Sequence, residues 1–406
     1  MHIGVPTDGF VNWGGGVSFI ENILIGLLAV PQNVTKITVF VPTYHRAALR
    51  SFVGSVMRSF INPSQARRHM LRSAQALDPW RRAVVSFSSI TPNVIEYDGS
   101  RVRLMQICKN LDVDVLFPLM TPLVSSEIKW AGYLYDCQHK YYPEFFSSDE
   151  IVMRNNYFEK MLNEAEVVIV NARSVKADLE RFFPDKKSKI FALPFSPIVR
   201  KENLDSIISR TKSVKNDFLT GEFYFIISNQ FWIHKDHRSA FQAFAQVAQM
   251  SELSEFKLVC TGLKDDYRFP GYFDELKVLV KNLGIQDRVI FTGYIDKLEQ
   301  LALVNGAVAL VQPTLFEGGP GGGSTYDAIA LGVPCLLSDI PVNLEIKNPL
   351  VSFFKASNAE SIAKMLLSAS SNSSPRPATD ILLEKSRLYA RGLGLSLFEI
   401  ANELSH

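Results

Sequence analysis

Cysteine is scarce in this chain. There are four in 406 residues, Cys108, Cys137, Cys260 and Cys335, and none belongs to a CxxC pair. A zinc ribbon or redox dithiol is therefore not expected. Cys260 ends an apolar run and Cys335 sits between Pro334 and Leu336, so both read as buried thiols of a reducing compartment. Net charge is nearly absent too. Lys and Arg number 43 and Asp and Glu 41, a formal +2, which argues against a nucleic-acid partner. No apolar run nears the roughly 20 residues that span a bilayer. The opening MHIGVPTDGF lacks a basic segment followed by an apolar one, so no signal peptide is expected and a cytoplasmic location is.

What is present is a globular composition, 47% hydrophobic and 21% charged, in a length that implies two domains. Short apolar runs alternate with amphipathic segments, the mark of parallel strands joined by crossover helices. Strands are expected at 3–6, 37–41, 113–117, 133–135, 167–170 and 190–192, with helices at 17–28 and 174–182. The pattern breaks at Leu193-Pro194-Phe195-Ser196-Pro197, and 200–216 reads as a linker leading into a helix. Alternation then resumes, with strands at 223–227, 256–260, 289–292 and 307–311 and a helix at 236–248. The implied domains are 1–195 and 215–378, each doubly wound, with a final helix in 380–406 crossing back to the first.

The strand at 307–311 runs into PTLFEGGPGGGSTYDAIALG. A helix is expected after the glycines, with Ser324 or Thr325 as its N-cap and Gly332 at its end. Glycines let a ligand approach the backbone closely, and free amides at a helix start favour an anion. No Gly-Lys-Ser/Thr follows, so this is not a P-loop, and the glycine spacing is not that of a dinucleotide fingerprint. The plainer alternative is a flexible surface loop.

The longer run PTLFEGGPGGGSTYDAIALGVPCLLSD resembles the donor-site signature of glycosyltransferase family 4. Ala328, Ala330, Gly332 and Pro334 match its Ala-x-Ala-x-Gly-x-Pro ending. The resemblance implies a GT-B fold, two doubly wound Rossmann-like α/β domains facing a cleft. It implies that Glu317 faces the transferred sugar and that Asp327 binds the ribose. Gly318, Gly319, Gly321, Gly322, Gly323, Ser324 and Thr325 would surround the diphosphate. Nine residues separate the two acids here, two more than is usual in the family. Lys235 matches the family's diphosphate lysine. Asn229 and Gln230 stand near the place of its usual arginine. Gly293 and Tyr294 resemble the turn that cradles the base, with a plain strand-helix turn as the equal alternative. Gly15 and Gly16, in Trp13-Gly14-Gly15-Gly16-Val17, resemble the first glycine loop, against a tight packing turn. His139 matches a histidine that contacts the transferred sugar, with Asp136 and Gln138 beside it on the acceptor side.

Activity implied by the resemblance is retaining transfer from a uridine or guanosine diphosphate sugar, a co-substrate and not a cofactor. The acceptor would be a saccharide or lipid-linked saccharide of a cell-surface polysaccharide, lipopolysaccharide included. Asp112-Val113-Asp114 could pass for a metal-binding DxD, but it opens an apolar strand without further acids, so no metal is expected. Between His45 and Arg82 lie eight arginines and one acid, Asp78, interleaved with apolar residues. This basic arm suits an anionic membrane surface, and equally a solvated helical face. The rival functions are a sugar-nucleotide epimerase, a glycoside hydrolase and a non-enzymatic nucleotide-sugar-binding scaffold.

Overall fold

The computed structural model describes residues 1–11, 15–34, 36–43, 83–123, 127–218, 220–371 and 375–405. The basic arm at 45–82 lies outside these residues, as do Trp13 and Gly14.

The first half runs β1 (His2–Pro6), α1 (Gly16–Leu28), β2 (Lys36–Pro42), β3 (Val94–Tyr97), α2 (Arg101–Asn110), β4 (Val115–Leu119), β5 (Lys129–Tyr133), α3 (Gln138–Tyr141), α4 (Ser148–Glu164), β6 (Val167–Val170), α5 (Arg173–Phe182) and β7 (Lys189–Ala192). Its sheet is parallel, in the order β3-β2-β1-β4-β5-β6-β7. The second half runs α6 (Lys201–Asp217), β8 (Tyr224–Ser228), α7 (His237–Val247), β9 (Lys257–Thr261), α8 (Tyr272–Asn282), β10 (Val289–Gly293), α9 (Lys297–Gly306), β11 (Ala309–Gln312), α10 (Gly322–Ala330), β12 (Cys335–Ser338), β13 (Val351–Phe354), α11 (Ala359–Ser371) and α12 (Thr379–Ser405). Its sheet is also parallel, in the order β10-β9-β8-β11-β12-β13. Strand order reverses between β1 and β4 and between β8 and β11. In sheets of this kind the loops diverge at such a switch point, at the carboxyl ends of the strands, and leave a crevice for ligands.

Several elements differ from the expectation. The strand expected at 133–135 is β5, four residues earlier at its start, because Lys129–Tyr133 pairs with both β4 and β6. The strand expected at 113–117 begins at Val115. Asp112 turns left-handed at φ 52°, and Asp114 accepts a 2.6 Å hydrogen bond from the His2 amide. That carboxylate thus secures the amino-terminal edge of the sheet. The stretch 200–216 holds no separate linker. It is the helix α6, which buries Leu204, Ile207 and Val214 and whose Arg210 pairs with Glu299 of α9 at 2.7 Å.

The helix α12 touches both halves. Leu382 joins the core of the second, while Leu393, Leu397, Ile400 and Leu404 join that of the first with Ile20, Ile23, Leu24 and Leu27 of α1. Backbones meet at this crossing: a Cβ on Gly394 would collide with the Gly26 carbonyl, whereas one on Gly392 would meet nothing within 4 Å. No helix among the described residues is long and apolar enough to cross a membrane.

Two predictions follow from packing. Gly394→Ala forces α1 and α12 apart and lowers stability by about 1–3 kcal/mol. Gly392→Ala, in the same helix, raises it by up to about 1 kcal/mol through helix propensity alone. Urea denaturation of the two variants measures the contrast. The second concerns His237, fully buried, stacked on Phe231 at 4.6 Å, with neither ring nitrogen partnered among the described residues. Burial, and then the Lys235 charge, pushes its pKa down to about 3. The folded state keeps the ring neutral while the unfolded chain takes up a proton near its ordinary 6.5. This contribution is therefore whole above pH 6.5 and is lost progressively as pH falls from there toward 3. Stability of the wild type relative to His237→Phe should drop by about 1 kcal/mol between pH 7 and 5.5, measured by urea titration at each pH.

Candidate active site

The glycine run is held in part by Gln312 and Asn343, side chains that the sequence reading did not single out. Strand β11 ends on Gln312, fully buried. Its amide nitrogen donates to Glu317 Oε1 at 3.2 Å and to the Gly321 carbonyl at 2.8 Å, and its oxygen accepts from Asn229 Nδ2. Thr325 Oγ1 donates to the same Gly321 carbonyl at 2.6 Å. The Gly321 amide donates to Asn343 Oδ1 at 2.8 Å. Gly321 and Gly322 both have positive φ, 70° and 65°. A Cβ on Gly321 would sit 2.5 Å from Thr325, and one on Gly322 3.0 Å from Gln312 and 3.1 Å from the Glu317 carboxylate. Only glycine lets the chain double back onto Glu317 here.

This corrects the expected helix start. The N-cap is Gly321, so Ser324 and Thr325 lie inside α10. The left-handed glycine, fixed on both its amide and its carbonyl, starts the helix earlier than a hydroxyl cap would. The Gly321 amide is taken by Asn343, and the Gly322 amide donates to the Gly319 carbonyl at 3.1 Å. Gly323 is the first residue of the run with open space around its Cα, and Ser324 Oγ is a buried hydroxyl with no partner among the described residues.

Lys235 meets the run from below. Its Nζ pairs with Glu317 Oε1 at 2.5 Å, with both side chains nearly buried. A turn at 233–235 presents it, pinned because the His234 carbonyl accepts from the Leu315 amide at 2.8 Å and Thr314 Oγ1 at 3.3 Å. Burial holds the His234 ring well below its ordinary pKa, with Lys235 and Arg268 adding to the effect, so a neutral imidazole stands beside the cation. Asn229, expected near a diphosphate, uses its side-chain amide on Gln312.

Asp327 lies in α10, ten residues beyond Glu317. Its Oδ2 accepts from Lys297 Nζ at 2.6 Å and Gln300 Nε2 at 3.4 Å, and Gln300 also reaches Ser228 Oγ at 3.0 Å. Lys297 and Gln300 come from the first turn of α9, which sequence reasoning did not connect with Asp327. Gly293 has φ 73°, its carbonyl accepts from the Gly262 amide at 3.0 Å, and Tyr294 is exposed. The donor side thus has two polar centres, one at Lys235–Glu317 and one at Asp327, at the carboxyl ends of β8 and β11 and beside α9 and α10.

The first domain closes on this surface. A Cβ on Gly318 would collide with the Tyr135 carbonyl and lie 3.0 Å from Asp136 Cβ, and one on Gly319 would lie 3.2 Å from Asn171. Asp136 therefore faces the Glu317 loop directly. Burial raises its pKa and Glu317 adds to this, while the Gln138 amide, Arg154 and Lys235 oppose it. Gln138 accepts from Arg268 Nη1 at 3.3 Å, a guanidinium that also sits 5.1 Å over Trp232 and pairs with Asp266. Arg268 adds positive charge beside His234 and the lysine turn. It reaches the same turn from the loop after β9, too far along the chain for local spacing to reveal it.

His139 is placed differently. Its ring is buried between Phe146 and Phe158, Nε2 lies 3.1 Å from Asn155 Oδ1, and burial pushes its pKa down to about 4. None of these ring contacts is with Glu317 or Lys235, so the site gathers Asp136 and Gln138 at the cleft and turns His139 toward α4. Gly16 is a packing glycine, since a Cβ there would collide with the Phe10 carbonyl, while Gly15 is exposed at the start of α1.

Residues 209–381 match the family model for Glycosyl transferases group 1. No curated protein sequence matches the chain. Among solved structures, a glycosyltransferase from Rickettsia africae is similar over 99% of this chain and 98% of that one, at 14% identity and a TM-score of 0.60. Sucrose-phosphate synthase from Thermosynechococcus elongatus is similar over 100% and 95%, at 14% identity and a TM-score of 0.55. HepE from Anabaena, in complex with UDP and glucose, is similar over 100% and 97%, at 13% identity and a TM-score of 0.54. At these identities the likeness is one of fold. The chain has the GT-B architecture, and its residues 209–381 resemble the domain that the group 1 glycosyltransferase model describes.

Proposed function

We propose that this chain is a retaining glycosyltransferase that moves a hexosyl group from a uridine or guanosine diphosphate sugar to a saccharide or lipid-linked saccharide acceptor in cell-surface polysaccharide synthesis. The observation that carries the reading is the Lys235–Glu317 pair, 2.5 Å long, lying against the left-handed glycines that start α10. A cation, a carboxylate and free amides at a helix start converge there, the group set that a sugar diphosphate requires. The match of 209–381 to group 1 glycosyltransferases supports it.

In this reading the diphosphate competes with Glu317 for Lys235 and rests on the amides from Gly323 onward, beside the unpartnered Ser324 hydroxyl. The freed Glu317 carboxylate then accepts hydrogen bonds from the sugar, and Asp327 accepts from the ribose hydroxyls. As the glycosidic bond breaks, negative charge grows on the leaving diphosphate. Lys235 and the helix amides stabilise it, and the diphosphate takes the acceptor proton. Asp136 and Gln138 line the acceptor side, with the closed cleft excluding water. Among the described residues of the site, no side chain is paired with a base as a protein nucleophile would be.

Glu317→Ala should lower kcat by roughly 100-fold or more while circular dichroism stays unchanged, consistent with losing a preorganised electrostatic contact. Near-normal turnover would contradict the assignment. The matching nucleotide sugar, in a thermal-shift panel at about 100 times its Kd, should stabilise the chain by about 2.7 kcal/mol. Product should form only when acceptor is added; conversion of donor alone would point to an epimerase or hydrolase. Activity should survive EDTA unchanged, and loss restored by Mn²⁺ would refute metal independence. The arm at 45–82 is proposed to rest on an anionic membrane, and co-sedimentation with anionic vesicles at low salt tests that contact.

A further inference from the structure

Helix α5 of the first domain begins without a cap of its own. Its N-cap is Ala172, whose methyl group cannot accept from the first amides, which are orphan donors at the positive end of the helix. The cap comes from the other domain. The Arg173 amide donates to Glu345 Oε2 at 2.9 Å and the Ser174 amide to Glu345 Oε1 at 2.7 Å. Arg173 Nε lies a further 3.5 Å from the same carboxylate, but the arginine is 74% exposed and Glu345 only 16%, so the amides dominate. Glu345 ends a single turn, Asn343–Glu345, that follows β12. Asn343 starts that turn, fully buried, donating to the Ser338 carbonyl at 2.9 Å and accepting from the Gly321 amide at 2.8 Å. Val342, one residue before, packs into the core of the first domain.

One three-residue turn therefore grips the glycine run with its first side chain and the facing domain with its last. We infer that Glu345 is a positioning residue, an interdomain latch that sets the glycine run in register with Asp136 and the acceptor side, and that Asn343 transmits this register to Gly321. Opening of the cleft strips α5 of its cap and leaves two amides without acceptors. Closure restores both bonds and brings Gly318 and Gly319 against Tyr135 and Asn171.

The test uses the full chain and two variants that break the latch from opposite sides. Glu345→Ala removes the acceptor. Arg173→Pro removes one amide and the guanidinium at the first helical position, where proline is well tolerated, after Ala172 in an extended conformation at φ −153° and ψ 153°. Small-angle scattering should show a larger radius of gyration for each variant than for the wild type. Calorimetry with UDP and GDP should give a Kd within about twofold of wild type for both, with kcat at least tenfold lower, and the double variant no worse than the poorer single one. Glu345→Gln, which keeps one acceptor, should fall between. Asn343→Ala should instead weaken nucleotide binding at least tenfold. An unchanged radius of gyration in both single variants, or additive losses in the double, would overturn the latch. The kinetic arm rests on the proposed transfer reaction. If neither nucleotide binds the wild type, that reading fails while the scattering result still decides the latch.

Discussion

The backbone of Gly321 is the point on which the second domain's side of the cleft is built. Its amide is held by Asn343, and its carbonyl by Gln312 and Thr325. Its left-handed φ excludes any side chain without strain. From this fixed point α10 sets out toward Asp327, with its first residue, Gly322, lying against the Glu317 carboxylate. Gln312 also bonds Glu317 itself, so the acid, the glycine and the end of β11 form one unit. Deleting Asn343 would leave the buried Gly321 amide without its acceptor, at about 1–3 kcal/mol.

The charges of the cleft follow from that unit. Lys235 and Glu317 neutralise each other where solvent is excluded, an arrangement in which removal of one partner strands the other. Asp136 approaches from the opposite domain, its carboxyl biased toward the neutral form by burial and by Glu317. A newly arriving dianion would change this balance by drawing Lys235 away. In the proposed function, transfer and domain closure share these few groups, and the interdomain contacts at Gly318 and Arg268 lie beside them.

Much of this was legible in the sequence, and the reasons are local. Alternating apolar runs mark most strands of both sheets because each is buried and bounded by turn residues. The glycine run could be placed because strand, loop and helix follow one another within a short span, while Glu317 and Lys235 were singled out through the family resemblance. Strand β3 escaped notice because only Tyr97 is buried in it, and β13 because it lies at a sheet edge with Ser352 exposed. The supporting side chains were illegible for another reason. Gln312, Asn343 and Arg268 are ordinary polar residues whose roles depend on partners far away in sequence, and no spacing rule links Glu345 to Arg173. His139, set against the sugar by the family resemblance, has its ring packed by Phe146 and Phe158, with Nε2 on Asn155 and Nδ1 without a partner among the described residues.

Amide hydrogen exchange with and without nucleotide sugar tests the central claim most directly. Slowed exchange should concentrate at 321–327 and 233–237, the helix start and the lysine turn, in the presence of the matching uridine or guanosine diphosphate sugar. It should be lost there in Lys235→Ala. Protection confined to other surfaces, or none at 321–327 with a sugar nucleotide that the chain demonstrably binds, would contradict the placement of the donor on this glycine run.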